Sequence, residues 1–357
     1  MRILFFSPDY EVSKEGPLRP LWSGAAYYRA IAPCAELSRH GVDAYMTPIL
    51  LQNDQTAKFA GVMDDDSMLD EADIVVVHSW KAAGAAVQIE RARRSGQVVI
   101  GDIDDLFWAL PPGHRSNRWH PAILGAGNWN YLRANLAACD AITVSTPRIK
   151  NWIEQNWSNF PPVFVVRNAI DLDNFKEEPF RNKIRTIGWN GNLGWRDDDM
   201  ATVRKWLGKF LEDNDLRFVW NGGTEVEPFA RSLGIDPERV EARVQLPFFD
   251  WRESNPLRGV DLQIIPLQLP SPFNAAKSAL KGMESAAWGV PFIASPSPEY
   301  QAVFDVEATE PLQLAAQRCL DRNHRRKVLA KEQSRVDERD LRDRWNDWLS
   351  VYERFAG

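Results

Sequence analysis

Apolar residues in this chain come in short continuous runs separated by stretches of helical spacing. Arg2–Ser7 is the first run, and it is too short for a helix. Gly24–Gly41 follows, with Ile31, Cys34, Ala35 and Leu37 at helical spacing and Gly41 as a stop. Val42–Pro48 is the next predicted strand. Ala72–His78, Gln97–Gly101, Asp140–Ser145 and Pro162–Arg167 continue the series, with helices predicted over Ala82–Ser95 and Trp129–Cys139. Strands this uniformly apolar, joined by helical crossovers, predict a parallel sheet covered on both faces.

The charged stretch Asp171–Lys183 interrupts the pattern and reads as a linker. The alternation then restarts. Strands are expected at Ile184–Trp189, Leu216–Trp220, Val260–Pro266 and Val290–Ser295, and helices at Met200–Leu211 and Asn274–Trp288. The tail from Leu312 is helical and charged. Trp345, Trp348 and Tyr352 follow a 3, 4 spacing, so one face of the last helix must dock on the protein. The expected class is α/β, with two doubly wound halves, a cleft between them, and ligands at the carboxyl ends of strands. The expected domains are 1–171 and 184–335, with a linker at 172–183 and a terminal helix at 336–357 returning to the first domain.

Composition narrows the function. The chain has 357 residues, enough for two cores, with 44% hydrophobic and 26% charged residues. Its net charge of −6 argues against a broad, sequence-blind grip on nucleic acid. No apolar run is long enough for a transmembrane helix. The start, Met1–Asp9, turns polar too soon for a signal peptide. Cys34, Cys139 and Cys319 lie far apart and form neither a disulfide framework nor a zinc pattern. The expected location is therefore a reducing compartment, the cytoplasm, with peripheral membrane association as the alternative. The unusual count is 15 Trp, a residue that packs cores and also lines sites for flat or sugar ligands.

The stretch Ser271–Ser295 carries the most chemistry. Asn274 suits an N-cap, Gly289 a C′ position, and Pro291 blocks continuation. Ala276, Leu280, Met283 and Ala287 would share a core face. Lys277, Lys281, Glu284 and Trp288 lie about 100° round from it. Two lysines at i,i+4 repel unless an anion is near, and a helix start is itself an anion site. A solvated charged face is the plain alternative.

The same stretch resembles the donor-binding segment of GT-B glycosyltransferases of the glycosyltransferase family 4 type, whose pattern is Glu-x7-Glu, small residues, Gly-x-Pro and a strand. Glu284-Ser-Ala-Ala-Trp-Gly-Val-Pro-Phe-Ile-Ala-Ser295 matches its second half. The chain departs at the first Glu, where Ala276 stands, followed by Lys277 and Ser278. Val163–Asp171 resembles the family's end of the first domain, with Arg167 where Pro is common. Ala138–Thr146 resembles its "A-D-x-I-x-x-x-S" strand. Ser23–Arg29 stands at its glycine-rich loop, which points to Gly24 and Arg29 as a phosphate or acceptor loop. Ile187-Gly-Trp-Asn-Gly-Asn192 opens the second domain, where the family has Gly-Arg and then Lys.

The resemblance implies a GT-B fold of two Rossmann-like domains and a retaining, metal-independent glycosyltransferase. No cofactor is expected. Glu284 would bind ribose hydroxyls. Lys277, Ser278, Asn190, Gly191, Asn192 and Arg196 would complete the nucleotide-sugar site. The acceptor is a glycan, lipid-linked sugar, small molecule or modified DNA base. A phage-type enzyme modifying DNA or protein is one alternative. A nucleotide-sugar binder without turnover is another, motivated by the missing first Glu.

On the first domain, Asp102-Ile-Asp104-Asp105 follows a predicted strand. Asp104 and Asp105 could bind acceptor hydroxyls or accept a proton, and a turn cap is the plain reading. Asp-x-Asp recurs at Asp171, Asp197 and Asp213, so it carries no metal inference here. His78 ends its strand and is the best lone histidine, with a structural imidazole as the alternative. His114 and His120 flank Trp119 in a loop that could cover an acceptor.

Overall fold

The computed structural model describes residues 1–7, 10–11, 19–20, 24–51, 57–59, 71–82, 84–110, 128–191, 198–244, 246–269, 271–307 and 310–356. They divide into two compact units. The first comprises Met1–Trp108, Asn117–Ala169 and Asp340–Gly357; the second comprises Ala109–Ser116 and Ile170–Arg339.

The strands of the first unit are β1 (Arg2–Ser7), β2 (Tyr10–Glu11), β3 (Arg19–Pro20), β4 (Asp43–Leu51), β5 (Ala57–Phe59), β6 (Ile74–His78), β7 (Val98–Ile103), β8 (Ala141–Val144) and β9 (Val163–Val165). Seven of them form one sheet in the order β5-β4-β1-β6-β7-β8-β9. All neighbours run parallel except the edge pair β4 and β5. The short strands β2 and β3 pair in a separate ladder. The apolar runs become strands because both sheet faces are covered. Leu4, Phe6, Val75, Val77 and Val99 pack with Trp80, Ala85 and Ile89 in one core cluster.

The order of the strands reverses at β1. The chain steps from β1 to β4 on one side and crosses back to β6 on the other. That switch point leaves a crevice at the carboxyl ends of β1 and β6, where ligands of such sheets bind.

The first helical region is interrupted. Gly24–Ala26 is α-helical, Tyr27–Ile31 is a π-helix, and Ala32–Arg39 is α-helical again. Pro33 supplies the reason. It has no N–H to give the carbonyl of Arg29, and its ring crowds that carbonyl, so the preceding turn widens. The Ala32 N–H bonds back to the Tyr27 carbonyl instead. The widened turn carries Arg29 into the interior.

The last segment belongs to this unit too. Trp348 and Tyr352 are buried, and Tyr352 meets Phe5 of β1 edge-on at 6.0 Å. Trp345 stacks on His40 at 4.2 Å. The 3, 4 spacing of aromatic residues thus finds its docking surface on the first unit.

The strands of the second unit are β10 (Thr186–Asn190), β11 (Arg217–Asn221), β12 (Val240–Arg243), β13 (Leu262–Ile265) and β14 (Phe292–Ala294). They form a five-stranded parallel sheet in the order β12-β11-β10-β13-β14. The switch point lies between β10 and β13. The Trp220 and Phe229 rings stack at 4.1 Å, and the Trp189 ring lies 6.2 Å from that of Phe229. Part of the high Trp count is therefore core packing. Segment 171–183 packs within this unit: Arg252 pairs with Asp171 at 3.3 Å, and Phe175 lies 4.9 Å from Trp288.

Helix Leu207–Asp213 approaches the turn at Gly234 so closely that a Cβ on Gly208 would overlap the Gly234 carbonyl oxygen. Backbone cannot yield there as a flexible side chain would. Gly208→Ala is expected to lower stability by at least about 1–3 kcal/mol, the scale of an overpacked core. A urea melt showing wild-type stability would contradict that packing.

The expected helix Asn274–Trp288 is not continuous. Pro272–Ala275 forms one turn, Ala276–Ala279 leaves the helix, and Leu280–Ala287 resumes it. Ser271 takes the N-cap role assigned to Asn274: its side chain accepts from the Asn274 N–H at 3.4 Å, with Pro272 at N1. Asn274 is drawn instead into bonds with Asp199 and the Gln268 carbonyl. Gly289 does close the second piece, at φ +74, with the Val290 N–H bonded back to the Ser285 carbonyl at 2.9 Å. All three cysteines are buried and free of disulfides. Among the described residues, no helix is long and apolar enough to cross a membrane.

Candidate functional site

Each unit gathers polar side chains at the carboxyl end of its sheet. In the first unit the gathering follows from strand register. His78 of β6 lies opposite Asp102 of β7, and Asp102 lies opposite Thr143 of β8. Residues in register on parallel strands point to the same face, so three polar side chains form a row across an otherwise apolar surface.

The π-helix completes the row from above. Arg29 Nε and Nη2 donate to the two Asp102 carboxylate oxygens at 3.1 and 2.6 Å. Arg29 Nη1 donates to the Val166 carbonyl at 2.5 Å and to Asn168 Oδ1 at 3.1 Å. Thr143 Oγ1 donates to Asp102 Oδ2 at 2.6 Å, and His78 Nδ1 lies 3.1 Å from Asp102 Oδ1. Arg29, His78 and Asp102 are each 1% exposed. Trp348 covers the guanidinium at 5.7 Å.

Burial alone would push the Asp102 carboxyl up. The Arg29 charge and the bonds from His78 and Arg29 outweigh it and hold Asp102 well below the usual carboxylate range. The two candidates next along the chain behave differently. Asp104 and Asp105 are half-buried just beyond β7. Burial first, and then the Asp105 charge, push the Asp104 carboxyl up to about 6. A carboxyl raised by burial and by a neighbouring carboxylate is a common arrangement for acid–base work.

Two buried polar atoms at the end of β6 have no hydrogen-bond partner among the described residues: His78 Nε2 and Ser79 Oγ. Ser79 also holds a left-handed backbone, φ 49, and its N–H bonds to the Asp102 carbonyl at 2.8 Å. A non-glycine residue in that conformation costs free energy, and such residues cluster at functional sites.

In the second unit, Asn190 ends β10 beside the switch point and Gly191 follows it. The Lys281 ammonium donates to the Asn190 carbonyl. Asp199 Oδ1 accepts from the Gln268 N–H at 2.8 Å and from Asn274 Nδ2 at 2.7 Å. That carboxylate ties the loop after β13 to the turn Pro272–Ala275. The break in the helix follows, and it carries Lys277 and Ser278. Lys277 is buried with its ammonium 4.1 Å from the Phe273 ring centre, and Glu284 is buried one turn into the resumed helix.

Lys277 lies in the break and Lys281 in the resumed helix, so the two do not stand at i,i+4 on one helix as expected. The structure brings Lys281, read in the sequence as half of a lysine pair facing an anion, onto the end of β10. Asp199, Asp102 and Thr143 are absent from the site read in the sequence. For Asp102 and Thr143 a signal existed, since each is a polar residue inside or closing a predicted apolar strand. Gly24 opens the first helix, while Arg29, read as part of a phosphate or acceptor loop, is spent on Asp102. Asn192 and Arg196, and the loop with His114, Trp119 and His120, lie outside the described residues.

No protein-family model and no curated protein sequence matches the chain. Solved structures do. Sucrose-phosphate synthase from Thermosynechococcus elongatus is similar with a TM-score of 0.67, at 12% identity over 99% of each chain. A glycosyltransferase from Rickettsia africae has a TM-score of 0.63, at 11% identity over 99% of this chain and 98% of its own. Anabaena HepE, solved in complex with UDP, has a TM-score of 0.60, at 12% identity over 99% of this chain and 100% of its own. At such identities the likeness is one of fold. The chain has the α/β fold of these glycosyltransferases, GT-B, with one parallel sheet in each of its two units.

Proposed function

We propose that the protein transfers a glycosyl group from a nucleoside-diphosphate sugar to an acceptor hydroxyl. The observation that carries this reading is the second unit's switch point. There Asn190, Gly191 and Lys281 meet beside a broken helix bearing Lys277, Ser278 and Glu284. A diphosphate calls for cations and helix-start N–H groups, and a ribose diol calls for a carboxylate. HepE has also been solved with UDP-glucose, which makes uridine nucleotides the first donors to test.

In the reaction, the bond between the sugar C1 and the diphosphate oxygen breaks, and its electron pair leaves with the nucleotide. The acceptor oxygen bonds to C1 and gives up its proton to a carboxylate, the role proposed for Asp104. Lys277, Lys281 and the backbone donors at Leu280 would stabilise the charge developing on the diphosphate, an electrostatic mode of catalysis. Membership of glycosyltransferase family 4, retention of anomeric configuration and independence from metal are parts of the proposal. The product's anomeric proton coupling and a chelator control test the last two.

Glu284→Ala and Lys277→Ala are each expected to weaken binding of UDP or another nucleoside diphosphate by about 1.5–3 kcal/mol, the worth of a charge-assisted hydrogen bond. Titration calorimetry measures it, with unchanged melting temperatures as the control for folding. Unaltered affinity in both variants would remove the site. Tight nucleotide binding with no sugar consumed on any acceptor would instead support the binder that Ala276, in place of the first Glu, suggested.

A further inference from the structure

We propose that Asp102 is a positioning residue that fixes the tautomer of His78, so that His78 Nε2 accepts a hydrogen bond from a substrate hydroxyl at the carboxyl end of β6. The inference rests on the glycosyl-transfer reading only for the identity of the hydroxyl, which is that of the sugar-like acceptor.

Asp102 is surrounded by donors. Its two oxygens receive bonds from Arg29 Nε, Arg29 Nη2 and Thr143 Oγ1. A guanidinium has protons to give and no lone pair to offer, so both of its bonds require a carboxylate that accepts. Beside that charge Asp102 is ionised, and an ionised carboxylate has no proton to donate. The contact with His78 Nδ1 at 3.1 Å therefore requires the proton to be on Nδ1. In neutral imidazole the other nitrogen is then a bare lone pair.

That lone pair is on Nε2, which is buried without a hydrogen-bond partner among the described residues. Leaving an acceptor dry costs stability, so a persistent orphan next to a sheet switch point marks a place for a donor. The adjacent Ser79 hydroxyl is orphaned as well, and its backbone is strained. One acceptor and one hydroxyl, adjacent along the chain, suit a polyol, whose hydroxyls both donate and accept. Ordinary packing explains neither orphan: an apolar residue at 78 or 79 would cover the same area without an unmet bond.

Two readouts test the inference on the full chain. The first is a two-bond proton–nitrogen spectrum of protein labelled at its histidine nitrogens, with H78Q identifying the His78 signals. At mildly alkaline pH, His78 is expected to carry its proton on Nδ1. A proton on Nε2 overturns the inference. The second is steady-state sugar transfer. H78Q and D102N are each expected to lower kcat by about ten- to a hundredfold, with KM for the nucleotide sugar unchanged. The double variant is expected to be no slower than H78Q, because Asp102 acts through His78. Losses that multiply, or a fully active H78Q, overturn it. T143V loosens Asp102 without uncovering a charge. It is expected to act in the same direction by less, and it serves if D102N folds poorly. Failure of the glycosyl-transfer reading shows separately, as no donor consumed by the unaltered protein, and the spectrum still decides the tautomer.

Discussion

Arg29→Met is expected to destabilise the protein by about 3–5 kcal/mol near neutral pH, the cost of breaking a buried ion pair from one side. The substitution keeps an apolar stem of similar length at the same place. It removes both donors to Asp102 and the bonds to Val166 and Asn168. Among the described side chains, the buried Asp102 carboxylate is then left with His78 and Thr143. The pH dependence has a definite sign. In the wild type the Asp102 carboxyl is depressed below its ordinary value of 3.8. Its stabilisation is fully present above that value and fades as the pH falls through the lower, folded value. The gap between variant and wild type is therefore widest above about pH 5 and narrows in stronger acid, where protonation removes the buried charge. Urea melts at neutral and acid pH measure this. A variant as stable as the wild type at pH 7 would mean that the pair is not the organising contact of the first unit.

Asp104→Asn is expected to move stability and activity in opposite directions. The Asp104 carboxyl is raised from 3.8 to about 6 by burial and by Asp105. The folded chain thus holds this proton more tightly than the unfolded chain, and stability falls as pH rises from about 4 through 6. An amide carries no charge to desolvate. The variant should gain about 1–2 kcal/mol above pH 6, a figure discounted for partial solvent access, and nothing below pH 4. Transfer of sugar, by contrast, should slow by about a hundredfold or more, the lower range for loss of a group that handles a proton. Asp105→Asn removes the neighbouring charge, so Asp104 should titrate at lower pH and shift the acid limb of the rate profile with it. Full activity in both variants would move the acceptor group away from this pair, and an acid limb unmoved in Asp105→Asn would uncouple the two carboxyls. A stabilised, slow enzyme is the usual outcome where a site keeps a costly charge for its chemistry.

The two clusters differ in how far the chain announced them. The donor-side segment was legible because its signals are local: a run of small residues, Gly289 and Pro291 closing a helix, and Glu284 at a fixed distance before them. The break at Lys277 was not legible, because it depends on Asp199 gripping Asn274 and Gln268 from 69 to 75 residues away. Local spacing favoured one helix there, and tertiary bonds cut it. On the first unit, Asp104, Asp105 and His78 were visible as polar residues ending apolar strands. Asp102 was visible only as a motif neighbour. Its role depends on which strands lie side by side.

The alternation of strand and helix, the parallel character of the sheets and the aromatic face of the final helix follow from the order of residues alone. Each of these is written in nearest-neighbour chemistry: continuous apolar runs can only be buried on both faces, and helical spacing makes one stripe. Which strand neighbours which is set by long-range packing. That order places His78, Asp102 and Thr143 in one row although Asp102 stands 24 residues from His78 and 41 from Thr143. It also decided that Arg29 serves the interior. Pro33 widens one turn of helix, the guanidinium swings onto Asp102, and a residue that reads from its neighbours as a loop cation becomes the centre of a buried network. Charge pairing of this kind is set by three-dimensional proximity, and no periodicity along the chain encodes it.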